Sequence, residues 1–316
     1  MTPRPRPSVD VVVPFRGSSF ALADLLDRLS GIQLGHGDSI VVVDNSPGEK
    51  AASRRSSEIR VVTANQRQSS YFARNRGAAL GSAEWILFID ADIEPPRDLL
   101  EGYFAHPPER HTGVLAGAIV DQGPRAGETQ TAAARYAFLR RSLDQQNTLR
   151  QDRPFAKTAN CAVRREAFHA VAGFHDAARS GGDADLCFRL AGAGWQIEGR
   201  PDAAVTHRGR QTVLALLRQQ ARYGSGASWL ERRYPGFGPP PLALHSILAR
   251  SARGGIHLIR AHLHRIAGDR DHALVSALDP LTAVAFDLGR RVPNRSRPVA
   301  ADVRARTDIG LGAMTP

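Results

Sequence analysis

The sequence predicts an α/β fold: a doubly wound, mostly parallel sheet followed by a C-terminal helical extension. Three observations lead there. Apolar, β-branched runs of strand length alternate with amphipathic segments of helix length. Two of the early strand runs finish directly on an aspartate, Asp44 and Asp90. A segment rich in Pro and Gly, Pro235 to Pro241, then interrupts the alternation, and two long helical stretches follow it.

Taken in order, Val9 to Val13 reads as a strand, Ala21 to Leu29 as an amphipathic helix and Ser39 to Val43 as a second strand ending at Asp44, which completes one βαβ unit. Ile59 to Thr63 is a third strand, Ala73 to Leu80 a helix closed by Gly81, and Trp85 to Ile89 a fourth strand ending at Asp90. Strands that are apolar without alternation belong to a sheet covered on both faces. Such a sheet binds ligands beyond the carboxyl ends of its strands, where Asp44, Asp90 and Asp92 fall. A helix from about Arg97 to Ala105, a strand Gly113 to Val120 and a helix Ala132 to Leu143 come next. Helices Arg164 to Val171 and Asp183 to Ala191, a strand Ala203 to His207 and a helix Thr212 to Tyr223 complete the first domain. This gives residues 1–7 as a disordered N-terminus, 8–235 as the main α/β domain, 236–290 as a helical extension (Leu242 to Ile266 and His272 to Leu288) and 291–316 as a flexible tail.

The chain has 316 residues, 42% of them hydrophobic, enough for a buried core. Its longest apolar runs are far below the roughly 18 residues a membrane span needs, and Arg/Pro-rich residues 1–7 lack the apolar core of a secretory signal. A cytoplasmic location, with peripheral contact at the inner face of the membrane, is the expectation. Cys161 and Cys187 are too few for a disulfide framework or a Cys-rich metal site. The 42 basic and 31 acidic residues leave a net charge of +11. It is unevenly placed: residues 1–210 hold 27 basic and 24 acidic side chains, and 211–316 hold 15 and 7. The basic C-terminal third is either a solvated surface or a contact for an anionic partner such as a phospholipid surface.

The first strand runs into Pro14-Phe15-Arg16-Gly17, which is neither a dinucleotide-binding Gly turn nor a phosphate loop. Carboxylates at strand ends offer another way to hold a nucleotide, because hard oxygen donors suit Mg²⁺ or Mn²⁺ bound to a diphosphate. Of three Asp-x-Asp pairs, 90/92, 183/185 and 269/271, the first follows a buried strand, whereas Asp269 and Asp271 read as solvated caps.

Six blocks then resemble one family. Val13-Pro14, Asp44-Asn45, Ala73-Arg74-Asn75-Arg76-Gly77 and Leu87-Phe88-Ile89-Asp90-Ala91-Asp92 are similar to the nucleotide-binding half of family 2 glycosyltransferases with the GT-A fold. Thr158 to Arg165, and Val171-Ala172-Gly173-Phe174 with Gly182 to Leu190, match the second half in order and spacing, so the resemblance covers residues 8 to 235. It implies an inverting, metal-dependent transfer of a sugar from a nucleotide-diphosphate sugar to an acceptor hydroxyl, in glycan, glycolipid or cell-envelope assembly. It further implies Mn²⁺ or Mg²⁺ as cofactor, a UDP, dTDP or GDP sugar as donor, and an acceptor that can be lipid-linked.

Carried over by position, the resemblance makes Asp183 the catalytic base. Pro14, Asp44, Arg74, Asp90 and Arg222 fall on the nucleotide, and Asp90, Asp92 and His207 on the metal, with Arg222-Tyr223 toward the leaving group. The family usually has Glu-Asp where this chain has Gly182-Asp183, which puts acceptor positioning in question.

Each residue also has a plainer reading. Asp183 can cap its helix, Asp185 can pair with Arg189 four residues on, and Asp44 can open a turn with Asn45, Ser46 and Pro47. Arg74 and Asn75 can be helix surface and cap, His207 a core histidine, Lys157 and Asn160 loop contacts, and Arg222-Tyr223 packing. Two other functions compete. A sugar nucleotidyltransferase would want a Gly- and Arg-rich loop, which Phe15-Arg16-Gly17-Ser18 lacks. A non-enzymatic basic module for membrane surfaces or nucleic acid leaves the aspartates unexplained. Aromatic residues at 6% offer few stacking platforms, so no nucleic acid is expected as a partner.

Overall fold

In a computed structural model of the chain, residues 6–47, 59–124, 127–238 and 242–296 are described. One eight-stranded mixed sheet has the order β3-β2-β1-β4-β7-β6-β8-β5. Its strands are β1 (Val9–Phe15), β2 (Ser39–Asp44), β3 (Ile59–Thr63), β4 (Trp85–Ile89), β5 (Ile93–Glu94), β6 (Thr112–Asp121), β7 (Asn160–Arg164) and β8 (Gln196–His207). The half formed by β3, β2, β1 and β4 is parallel, as expected. β7 enters antiparallel between β4 and β6, and β6 then pairs in parallel with β8.

The helices are α1 (Ser19–Ser30), α2 (Ser70–Ala78), α3 (Leu99–Tyr103), α4 (Ala132–Arg140), α5 (Gln146–Leu149), α6 (Arg165–Ala170), α7 (Gly182–Gly192), α8 (Val213–Arg233), α9 (Leu244–Ile266) and α10 (Arg270–Gly289). Alternate residues of β1 feed two cores. Val9, Val11 and Val13 meet Leu25 and Leu29 of α1 and Leu99 and Leu100 of α3. Val12 lies with Ala73 of α2, Phe168 of α6 and Leu186 of α7. Gly77 brings α2 directly onto the sheet, since a Cβ there would sit 2.4 Å from a Val12 methyl.

Several boundaries move from their expected places for local reasons. α2 starts three residues earlier because the Ser69 hydroxyl accepts from the Phe72 N–H. α4 stops before Leu143, where Arg141 adopts a left-handed conformation with φ 47°. α8 runs ten residues past Tyr223. Asp269 does cap α10, accepting from His272 N, whereas Asp271, its side chain solvent-exposed as expected, is not a cap and pairs with Arg135 of α4 at 2.5 Å.

The helical extension is fastened to the domain. α8 and α10 touch backbone to backbone, so that a Cβ on Gly224 would meet Phe286 O at 2.0 Å and one on Gly289 would meet Ala221 O at 1.9 Å. Residues expected in unstructured ends are tied as well. Arg6 pairs with Asp38 and Glu101. Asn294 accepts from Arg179 N and Ser180 N and donates to Ser180 O, just before α7. The rest of both expected disordered ends, 1–5 and 297–316, lies outside the described residues. No helix among the described residues is long and apolar enough to cross a membrane.

Candidate active site

The parallel strands deliver their C-terminal residues to one edge. β1 and β2 run in register so that Pro14 faces Val43 and Phe15 faces Asp44. Asp44 is buried, and its Oδ1 accepts from Ser46 N at 2.9 Å, so the turn-opening role is realised. Asn45 fixes the same corner by donating to Arg67 O at 2.7 Å.

Asp90 and Asp92 follow β4 but take different partners. Asp90 is clamped by Arg74 of α2, whose guanidinium is buried and lies over the Tyr71 ring at 5.5 Å. Asp92 turns toward the end of β8, where its Oδ2 is 3.6 Å from His207 Nε2 and 3.4 Å from Arg210 Nη1. Burial works against ionised Asp92, yet His207 and Arg210 outweigh it and hold the carboxyl below its ordinary range. For His207 burial also opposes the charge, and Asp121 and Asp92 together raise the imidazole to about 9. Asp121 ends β6 and holds His207 Nδ1 at 2.9 Å. That fixes the ring so that Nε2 faces Asp92, the way an outer carboxylate orients a metal-binding histidine.

Asp183 opens α7. Its Oδ1 accepts from Ala184 N at 3.1 Å and from the Tyr71 hydroxyl at 3.5 Å. Burial raises its pKa above the ordinary carboxylate value, with Arg74 as the main counterweight. Gly182 is buried against Tyr71, and a Cβ there would come within 2.8 Å of the ring. The departure from the family's acidic residue therefore has a steric correlate: the space is occupied by the aromatic ring that donates to Asp183. Lys157, half-buried nearby, is lowered to about 8 by desolvation, with Asp183, Asp144 and Asp121 pulling it back up.

Other expected residues divide cleanly. Asp185 is a structural anchor, holding Arg189 and Arg233 and accepting from Tyr234. Asn160 is fully buried and spends its amide on Tyr103, Ala118 O and Ala203 O. Asn75 fastens α2 to Phe174. Arg222 lies over Tyr223 at 5.7 Å, and its Nε is buried without a hydrogen-bond partner. Tyr223 is in turn within electrostatic reach of Arg210, Asp90 and Asp183. A cavity of about 300 Å³ opens beside His207 and Arg210, walled by Tyr136 of α4, Tyr223 of α8 and Thr282 of α10.

Three site residues escaped the sequence reading: Tyr71, Asp121 and Arg210. Asp121 carries the signal that marked Asp44 and Asp90, an aspartate closing an apolar strand. Arg210 sits three residues after His207 in a basic run that composition alone treats as surface.

This arrangement coincides with a known family. The profile described as Glycosyl transferase family group 2 matches residues 85–278, more than half of the chain. The chain belongs to that family. A pre-mycofactocin glycosyltransferase of Mycobacterium tuberculosis is 30% identical over 236 residues, 72% of this chain and 48% of that protein. Glycosyltransferase AglE of Haloferax volcanii is 27% identical over 228 residues, 70% of this chain and 73% of the relative. The chain thus spans about half the length of the first of these relatives. Among solved structures, the mannosyltransferase PcManGT from Pyrobaculum calidifontis, in complex with GDP-Man and Mn²⁺, superposes with a TM-score of 0.59 at 17% identity. It covers 90% of this chain and 88% of its own, which establishes the shared GT-A fold.

Proposed function

We propose that the chain is an inverting glycosyltransferase that moves a sugar from a nucleoside-diphosphate donor to an acceptor hydroxyl, with Asp183 as the general base. The observation that carries this reading is the convergence at one sheet edge of a half-buried carboxylate of raised pKa, Asp183, with the Arg74–Asp90 and Asp92–His207 pairs. The acceptor oxygen attacks the anomeric carbon and its proton passes to the Asp183 carboxylate. The bond from that carbon to the diphosphate oxygen breaks, and its electrons leave with the nucleoside diphosphate. A raised pKa suits the step, because a more basic carboxylate takes a hydroxyl proton more readily.

Asp92 and His207 fit a divalent cation. One oxygen and one imidazole nitrogen converge, and Asp121 locks the ring from behind. Among the described residues no group of three or more His, Cys, Asp or Glu is arranged to hold a metal alone. That suits a cation completed by substrate phosphates and water. When bound, such an ion would offset the charge gathering on the departing diphosphate. The relative in fold that holds GDP-Man and Mn²⁺ supports this assignment. Arg210 beside Asp92, and Arg222 with its unpaired Nε, supply further positive charge on the leaving-group side, while buried Asp44 and half-buried Pro14 would meet the nucleobase.

A thermal-shift screen of UDP, dTDP and GDP sugars, with and without Mn²⁺, tests the reading. Stabilisation by one donor class that depends on Mn²⁺, followed by release of its diphosphate when an acceptor is supplied, is the expected outcome. Absence of any metal-linked stabilisation across all three classes would overturn it.

A further inference from the structure

α9 is an amphipathic helix turned outward. Over residues 255–266 its half-buried positions are His257, Ala261 and His264, on the side where His264 stacks on His272 of α10. Ile256, Ile259, Leu263 and Ile266 recur three and four residues apart and so form one stripe. They are 56%, 63%, 59% and 71% exposed. At about 3.6 residues per turn, exposed Arg260 borders this stripe on one side, and on the other exposed His262 and Leu258 lie between it and exposed Arg265. The side chains of Leu248, Arg250 and Arg253, which continue the pattern in sequence, lie outside the described residues. Exposed Leu281 and Leu288 add two more aliphatic side chains on α10.

On α9 itself the charge has one sign: Leu244–Ile266 contains Arg250, Arg253, Arg260 and Arg265 and no acidic residue. Aspartates of the turn and of α10 are engaged elsewhere, Asp269 with His272, Asp271 with Arg135 and Asp279 with Arg140. A second copy packed face to face would bring two basic α9 helices together. A helix of this composition is too polar to span a bilayer. Branched aliphatic side chains bordered by arginines that reach outward are instead the pattern of a helix lying in the headgroup region, apolar face down, with guanidinium groups on lipid phosphates.

We propose that the α9–α10 hairpin docks the protein on an anionic lipid bilayer through the Ile256/Ile259/Leu263/Ile266 face. The hairpin is rigidly joined to the domain through the Gly224 and Gly289 contacts, and α10 also carries Thr282 into the wall of the cavity beside His207. Docking would hold that cavity at a fixed attitude to the membrane. Combined with the glycosyl-transfer reading, this is the setting for a lipid-linked acceptor, but the docking does not depend on that reading.

The test uses the full chain with vesicles of phosphatidylcholine alone or containing roughly 30% phosphatidylglycerol. Sedimentation with the anionic vesicles only, weakened by high salt, is expected. The double variant Ile259→Glu/Leu263→Glu should bind them at least ~10-fold less, with unchanged circular dichroism, and Arg260→Gln/Arg265→Gln should lose the preference for anionic lipid. Ile266→Glu, at the more exposed end of the stripe, provides a second probe should the double variant misfold. Failure of the native chain to bind anionic vesicles overturns the proposal. So does equal binding by the Glu variants, or a dimer in light scattering that those variants dissociate while vesicles have no effect.

Discussion

The Tyr71 hydroxyl donates to Asp183 Oδ1 at 3.5 Å from a ring packed against the α-carbon of Gly182. Tyr71 is itself buried, with its ring centroid 5.3 Å from that of Phe174. The ring has little room to retreat, so tyrosine at 71 requires glycine at 182. Restoring an acidic side chain by Gly182→Glu should lower stability by roughly 1–3 kcal/mol, the usual cost of overpacking, and reduce kcat more than donor affinity. The double variant Gly182→Glu/Tyr71→Ala should recover part of the stability. If Gly182→Glu alone matches the native chain in Tm and kcat, the ring does not determine the glycine.

Asp183 ties chemistry to stability. Its pKa in the folded chain lies above the ordinary 3.8, chiefly through burial. A carboxyl whose pKa rises on folding stabilises relative to its ionised form below the unfolded pKa, and that advantage is lost as pH climbs through the folded pKa. Above the unfolded pKa the carboxyl is therefore a liability to the folded state. Asp183→Asn should raise Tm at pH 7, and the difference should shrink to nothing as pH falls toward 3.8. The same substitution should cut transfer by the roughly 10²- to 10⁴-fold of general base catalysis while donor binding persists. Near-normal turnover in Asp183→Asn would assign the proton to another group.

Asp92 faces Arg210 and His207, whose ring Asp121 holds in a fixed orientation. Asp92→Asn removes one hard anionic ligand and leaves the β4 strand untouched. Titration calorimetry of UDP and GDP with Mn²⁺ should show the metal-dependent part of the affinity abolished and the metal-independent part kept. Asp90→Asn should act differently, loosening Arg74 rather than the cation, so its loss should persist without Mn²⁺. Identical metal dependence in the native chain and Asp92→Asn would remove Asp92 from the metal assignment.

The parallel half of the sheet was readable because its strands are buried on both faces, and every residue of Trp85–Ile89 is fully buried. β7 was not. Its apolar stretch is only Cys161-Ala162-Val163, and its place between β4 and β6 is set by partners far away in sequence. The strand-end carboxylates were legible for the same reason as the strands. Which partners they take was not, since Asp90 and Asp92 look alike in sequence and separate only because α2 brings Arg74 to one and the end of β8 brings His207 to the other. The flexible-tail reading of residues 291–296 failed at Asn294, whose polar side chain looks like solvent-facing loop until the loop before α7 is seen to need it.

Asn294 is the last test of how the extension serves the site. It is buried, accepts from Arg179 N and Ser180 N at 3.2 and 3.1 Å, and donates to Ser180 O at 2.8 Å. Ser296 N adds a bond to Ala177 O at 2.7 Å. The loop so held runs into Gly181, at φ 79°, and from there into Asp183. Asn294→Ala leaves those three backbone groups without their partner, a cost of roughly 1–3 kcal/mol for each group left unsatisfied and buried. Beyond that loss, a loosened loop should relieve part of the burial that raises Asp183. Asn294→Ala should then lower kcat with little change in donor KM, and its acidic pH-rate limb should move down toward the ordinary carboxylate range. Asn294→Asp keeps an acceptor for the two N–H groups but loses the donor to Ser180 O, and should fall between the two. A variant that loses Tm while its kcat and pH profile stay native would make the strap a stabilising contact with no bearing on the base.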